Sequence, residues 1–305
     1  MRGMSSPFIG SEAIASGLLT GGQLRWKYAA IHPDVYVGRC VERTLAVNTR
    51  AAALCLPQSV VAGRAAAALH GVRWLEPTTP IELIGHSRRP RAGVIVRDER
   101  IGPDETMRLS ARALTTPQRT ALDVARHLPR TELVACLDAL AAVTAVDPAA
   151  VLALAGRYPG ARGIRRARTT APLVDPGAQS PRESWLRLLL IDAGFPRPAT
   201  QIPVSDGYLS AVIDMGWDEP KIGLEYDGDQ HRSDRRQLVR DIGRHEMFSR
   251  LDWLVIRVVR STAGRSSLRG CASRSAVPEF RSRDVPEGCD SRPPPAVVSI
   301  SARGS

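Results

Sequence analysis

The sequence predicts an α/β chain, α+β overall, built from more than one domain, and three observations carry that expectation. The 305 residues are about twice the ~150 residues expected of one domain. Segments with apolar residues at helical spacing alternate with short β-rich runs at 81–84, 93–97, 211–214 and 222–226. Composition breaks at the Pro/Gly-dense stretch 158–179 and again after Arg260. The expected division is 1–40, 41–170, 180–260 and a tail, 261–305, rich in Ser, Arg, Gly and Pro without periodicity and expected to be disordered.

Residues 11–20 and 22–31 read as two short helices, and 33–38 as a strand of the wing type, so 1–40 is expected to form a winged-helix module. Between 43 and 70 an Ala-rich helix breaks at Leu56-Pro57 and resumes as a second helix. His70 reads as its last residue, suited to the negative end of the helix dipole, and Gly71 as the usual residue past a helix end. The turn His86-Ser-Arg-Arg-Pro-Arg-Ala reads as a solvated hairpin tip or a contact to a phosphate backbone, with no aromatic interleaved to stack on bases. Thr116 is placed to cap a helix with Pro117 at its first position. Residues 131–145 and 147–157 continue as amphipathic helices, and Asp123 and Asp138 read as surface or packing polar groups.

Four arginines, Arg162, Arg165, Arg166 and Arg168, cluster before the second part and are candidates for DNA-backbone contacts. Ser180-Pro-Arg-Glu183 has the spacing of a capping box with Pro at the first helical position. Asp214 closes one apolar run, Asp-Glu-Pro makes a turn, and Ile222-Gly-Leu-Glu-Tyr opens a second run. Strand alternation then puts Lys221, Glu225 and Asp227 on one face, with Asp214 reaching the cluster from the neighbouring strand. Carboxylates that converge repel unless a cation sits between them, and the hard, oxygen-seeking cation for that place is Mg²⁺. The same residues also read as a solvated hairpin with an ordinary Asp-Gly turn. Asp241 and Arg244 stand three apart on a helix, where they can pair with each other or orient site groups. Arg257 interrupts an apolar strand, and an Arg there needs a reason.

A formal charge of +11 and a pI near 10.3 favour polyanionic partners, because Lys and Arg near phosphates displace condensed counterions; a GC-rich coding sequence would produce a similar excess of Arg. Cys40, Cys55, Cys136, Cys271 and Cys289 form no C-x-x-C pair, which argues against a zinc site and a disulfide framework and suits a reducing cytoplasm. No apolar run reaches the ~18 residues of a membrane-spanning helix, and no membrane partner is expected.

The ordered set Glu183, Asp214, Glu225-Tyr-Asp227-Gly, His231, Asp241-x-x-Arg244 and Trp253-Leu-Val-Ile-Arg257 resembles DUF559-type endonuclease domains. These are similar to very short patch repair (Vsr-like) endonucleases within the PD-(D/E)XK superfamily. The resemblance covers about 180 to 260. It implies a restriction-endonuclease-like mixed sheet flanked by helices, with one divalent-metal centre cutting a phosphodiester bond of DNA. The superfamily's Lys after Glu-x is Asp227 here, which leaves the general base or charge stabiliser unassigned. Tyr36-Val37 and Ala65-Ala-Ala-Ala-Leu-His-Gly71 resemble the N-terminal region of AbiEi-type antitoxin proteins, which often precedes such a domain.

The expectation is a cytoplasmic endonuclease using Mg²⁺ (or Mn²⁺), with Asp214 and Glu225 as metal ligands. Asp227 is a further ligand or a positioner of the attacking water. His231 is a base, an acid for the leaving oxygen, or an idle loop histidine. Glu183, Asp241, Arg244 and Arg257 are supporting residues, Glu183 being equally explained by its cap. The alternative is a DNA-binding transcriptional repressor or antitoxin whose nuclease fold is inactive and serves to hold DNA or form a homodimer. The intact acidic set favours the first reading; the missing Lys, and a tail where such domains continue into a closing helix, favour the second.

Overall fold

Helix and strand signals resolve into an α+β protein, and the computed structural model describes residues 6–86, 92–109, 112–226 and 235–258. Asp227, His231 and the tail 261–305 therefore lie outside the described residues. The chain forms two compact units, 1–200 and 201–305.

The first unit opens with β1 (Phe8–Ile9), α1 (Gly10–Ala15), α2 (Gly21–Lys27), β2 (Tyr28–His32) and β3 (Val35–Gly38), the strands pairing in the order β1-β3-β2. Thr20 and Gln23 form a reciprocal capping box that starts α2. The Phe8 ring packs edge-on against Tyr28 at 4.9 Å and ties β1 to the sheet. Next come α3 (Leu45–Cys55), β4 (Val60–Val61), α4 (Gly63–His70), β5 (Ile81–Ile84), β6 (Val94–Arg97), β7 (Thr106–Leu109) and β8 (Arg112–Thr115). They build a five-stranded sheet, β6-β5-β4-β8-β7, mixing parallel and antiparallel pairs. The small side chains Ala52, Ala65 and Ala66 let α3 and α4 lie close against Val61, Leu83 and Leu114 of that sheet.

One buried strand residue reshapes the start of α4. Ala62, in the N-cap position, has no side-chain acceptor, and Glu82 of β5 supplies it by accepting the Arg64 amide at 2.8 Å. Gly63 makes room: its φ is +54°, and a Cβ there would collide with the Glu82 carboxylate. At the other end α4 closes at His70 on Gly71, whose φ is +116°, and His70 Nε2 lies 2.9 Å from the Thr115 carbonyl.

Helices α5 (Pro117–His127), α6 (Arg130–Thr144), α7 (Pro148–Gly156), α8 (Ile164–Thr170) and α9 (Pro181–Asp192) complete the unit. Leu122, Leu133, Leu137, Leu140, Leu154 and Ile164 are its apolar centre, with Leu188 of α9 packed among them. Ser180 caps α9 as its spacing predicts: the Glu183 amide donates to Ser180 Oγ at 3.2 Å, while the Glu183 carboxylate accepts from Ser180 Oγ and the Gln179 amide, each at 2.9 Å. Ser180→Ala should therefore cost about 1 kcal/mol. Thermal denaturation should show the transition falling by roughly 2–4 °C; an unchanged melt would mean that other contacts set the helix start.

The second unit holds β9 (Ala199–Ser205), β10 (Ser210–Trp217), β11 (Ile222–Tyr226), α10 (Arg235–Arg250) and β12 (Leu254–Val258), in the sheet order β12-β11-β10-β9. β10 and β11 run antiparallel with Met215 opposite Leu224; β11 and β12 run parallel through the α10 crossover, with Glu225 opposite Arg257. Ile202, Val204, Ile213, Met247, Phe248 and Trp253 bury the helix against the sheet. Lys221 corrects a sequence expectation. It stands in the turn before β11 at φ +61°, which breaks the alternation that would have aligned it with Glu225, and its Nζ donates to the Leu251 carbonyl at 3.0 Å.

Candidate functional site

In the second unit the β10–β11–β12 register and one face of α10 bring together Asp214, Glu225, Arg244 and Arg257. Asp214 stands one residue beyond the Met215–Leu224 pair of β10 and β11, and its Oδ2 accepts the Tyr226 amide at 2.9 Å. A side chain thus satisfies a strand amide, and that bond fixes the carboxylate. Among the described residues Asp214 Oδ1 has no hydrogen-bond partner. Glu225 is buried, and a guanidinium approaches each of its oxygens: Arg244 Nη2 donates to Oε1, and Arg257 Nε lies 3.8 Å from Oε2. The arginine that interrupts the apolar strand β12 stands directly across the parallel ladder from Glu225.

Burial raises the Asp214 carboxyl above the ordinary aspartate range, against the opposing pull of the Tyr226 amide and Arg244. Burial also raises Glu225; Arg244, Arg257 and His245 oppose the shift, and the Asp214 charge adds to it. A hard divalent cation fits this donor set, since it would favour the ionised form of both carboxyls and fill the open position at Asp214 Oδ1. Asp241 offers its backbone carbonyl to His245 Nδ1 at 2.9 Å, while its neighbour Arg244 turns to Glu225. The same Nδ1 lies 3.4 Å from Arg257 Nη2, which places His245 among the groups around Glu225. Nothing in the spacing of His245 marked it as part of this cluster.

Glu183 lies in the first unit, engaged with Gln179 and Ser180 as described. Of the arginine cluster there, Arg166 donates to the carbonyls of Leu128 and Arg126 at 2.8 and 2.9 Å, so it buttresses the junction of α5 and α6. Arg162, Arg165 and Arg168 are exposed.

A second concentration of charge in the first unit was not read from the sequence. Arg119, 1% exposed, holds Glu105 Oε2 at 2.5 Å, Asp123 Oδ1 at 2.9 Å and Glu99 Oε2 at 3.4 Å. Arg126 holds the same Glu99 oxygen at 2.7 Å, and His127 Nε2 lies 3.0 Å from Glu99 Oε1. Asp138 is likewise buried, accepting from Arg187, Ser184 and the Asp175 amide at 2.6, 2.6 and 2.8 Å. Asp123 and Asp138 are thus buried ion-pair members, and for both the surface reading is overturned: each gains a guanidinium from its own or a neighbouring helix. Ligand atoms of Glu99, Asp123 and His127 lie within 4.8 Å of one another, a spacing that suits a metal. Arg119 and Arg126 already occupy the cationic place among them, so a divalent ion would meet two fixed positive charges.

The fold and these clusters define an α+β protein with a paired-carboxylate site on a mixed sheet and a buried ion network. Comparison places it further: the chain is 31% identical over 249 residues to the uncharacterized proteins Rv2248 and MT2308 of two Mycobacterium tuberculosis strains, covering 79% of this chain and 88% of theirs, and it belongs to their family. No family model matches the chain, and no solved structure matches it. Among the described residues no single helix is long and apolar enough to cross a membrane.

Proposed function

We propose that this protein is a metal-dependent DNA endonuclease of the PD-(D/E)XK type, with Mg²⁺ or Mn²⁺ held by Asp214 and Glu225. The observation that carries the reading is the half-buried Asp214, one oxygen fixed by the Tyr226 amide and the other without a hydrogen-bond partner among the described residues, beside buried Glu225 on the next strand. When bound, the cation lowers the pKa of a water and offsets charge building on the phosphorane. Arg244 and Arg257 hold the Glu225 rotamer and keep positive charge beside the position a phosphodiester would take. Asp227, as further ligand or water positioner, and His231, as base or acid, complete the proposal from residues outside the described set.

A second reading, a DNA-binding repressor or antitoxin with an inactive nuclease fold, is favoured by one observation: both Glu225 oxygens have arginine partners, so its charge is balanced without a metal. Incubating the full chain with plasmid, mismatched and single-stranded DNA in Mg²⁺, Mn²⁺ or chelator separates the two. Metal-dependent scission supports the nuclease; binding without scission in any metal supports the repressor.

Two further results are expected. Holding the ion needs both carboxyls ionised, and burial raises both in the metal-free site, so at limiting metal cleavage should rise with pH through a midpoint above the ordinary carboxylate values. A midpoint at or below those values would count against the assigned ligands. DNA binding, in chelator, should weaken steeply with salt. Replacing exposed Arg165 and Arg168 by Ala should weaken it for all sequences alike and flatten the salt dependence by about two charges; an unchanged slope would remove this cluster from the interface.

A further inference from the structure

We propose that a cleft in the first unit is a binding site for a small planar monocarboxylate, independent of the nuclease reading. The cleft has a volume of about 470 Å³, within the range of small-molecule sites. Trp74 and Trp185 line it and stay 36% and 37% exposed, so two indole rings with both apolar surface and an N–H are open to a ligand in the cleft. A ligand that slides between or onto indole faces is flat.

Arg64, lining the same cleft, supplies the charge. Its side chain is only 19% exposed, and its buried Nε has no hydrogen-bond partner. The nearest carboxylate, Glu82 Oε2, is 3.6 Å from that nitrogen, already accepts the Arg64 backbone amide at 2.8 Å, and shares its other oxygen with Arg97 at 3.0 Å. Two guanidiniums therefore face one carboxylate, and one positive charge is left over at a largely desolvated position, where an anion gains most. The start of α6 adds to this: Pro129, its N-cap, has no side-chain acceptor, and the first-turn residues Thr131 and Glu132 line the cleft.

Acidic Glu76 and Glu132, also lining it, are exposed. Lying at exposed positions, they repel a polyanion and argue against a nucleic-acid strand, while the less exposed Arg64 offers one guanidinium for one carboxylate. Cys136 lies beneath, and burial pushes its thiol up to about 12, so it offers no thiolate for covalent chemistry. The site holds its ligand reversibly.

Titration calorimetry of the full chain with 2-naphthoate, with its neutral analogue 2-naphthylmethanol, and with oligothymidylate as competitor tests this. The acid should bind about tenfold or more tightly than the alcohol, as a charge-assisted contact requires. Arg64→Gln should erase that preference while leaving the Glu82–Arg97 pair to hold the fold. Trp185→Leu, a change at a partly exposed residue, should weaken acid and alcohol alike. No binding of naphthoate by the wild type, equal affinity for acid and alcohol, or an Arg64→Gln variant that still prefers the acid would overturn the proposal. Displacement by oligothymidylate would overturn it as well, in favour of a nucleic-acid groove.

Discussion

In the Asp214→Asn variant, metal-dependent cleavage should fall about a hundredfold or more while the protein melts at a higher temperature than wild type in chelator. The two halves of this expectation have one cause. Asn keeps the shape, and its carbonyl oxygen can still accept the Tyr226 amide, so the turn between sheet and site is preserved. What disappears is one full charge from a small ligand set, and with it several kcal/mol of cation binding and transition-state stabilisation. The stability change has the opposite sign. Burial raises the folded-state pKa of Asp214, so its contribution is fully present below the unfolded aspartate value and is lost as pH rises through the folded one. At neutral pH without metal the ionised carboxylate is therefore a burden, and a neutral isostere removes it. Cleavage and melting curves measured on the same preparation decide the matter. Loss of cleavage with loss of stability would mean that Asp214 is structural; unchanged cleavage would mean that the metal, if one is used, sits elsewhere.

What was legible in the sequence follows from what periodicity and spacing can encode. The Ser180 cap, the Gly71 stop, the Asp214–Glu225 hairpin and the anomalous Arg257 are local or pattern-breaking signals, and each occupies a definable place in the fold. Lys221 was misplaced because alternation assumes unbroken strand geometry, and one left-handed residue ends it. The ion network around Arg119 was illegible for a different reason. Arg119, Asp123 and Arg126 look like the polar face of a surface helix, and only the strand connections bearing Glu99 and Glu105 turn that face inward. Glu82 shows the same limit in a strand: its role as cap for α4 depends on a glycine 19 residues earlier that leaves room for its carboxylate.

That buried network yields the largest stability effect expected in the protein. Arg119→Met keeps length and apolar contact but leaves Glu105, Asp123 and Glu99 short of a guanidinium in a site with little water. Breaking a buried ion pair from one side costs about 3–5 kcal/mol, a large part of the roughly 5–15 kcal/mol that a domain has. The dependence on pH identifies the cause. In the wild type, burial pushes Asp123 up to about 6 despite Arg119, so its contribution is full at low pH and fades as pH climbs through that value. For Glu99, burial pulls upward but hydrogen bonds from His127 and Arg126 outweigh it and hold the carboxyl at about 2; its contribution is full above the ordinary glutamate value and is lost as pH falls toward 2. Without Arg119 the influences that oppose burial at Asp123 weaken, so its carboxyl rises further and protonation relieves more of the strain. Chemical denaturation of both proteins at pH 5 and pH 8 should therefore show a deficit that is much smaller at pH 5. An equal deficit at both values would assign the loss to the missing guanidinium contact with Tyr158, whose ring centre lies 5.2 Å from the guanidinium carbon, rather than to stranded charge.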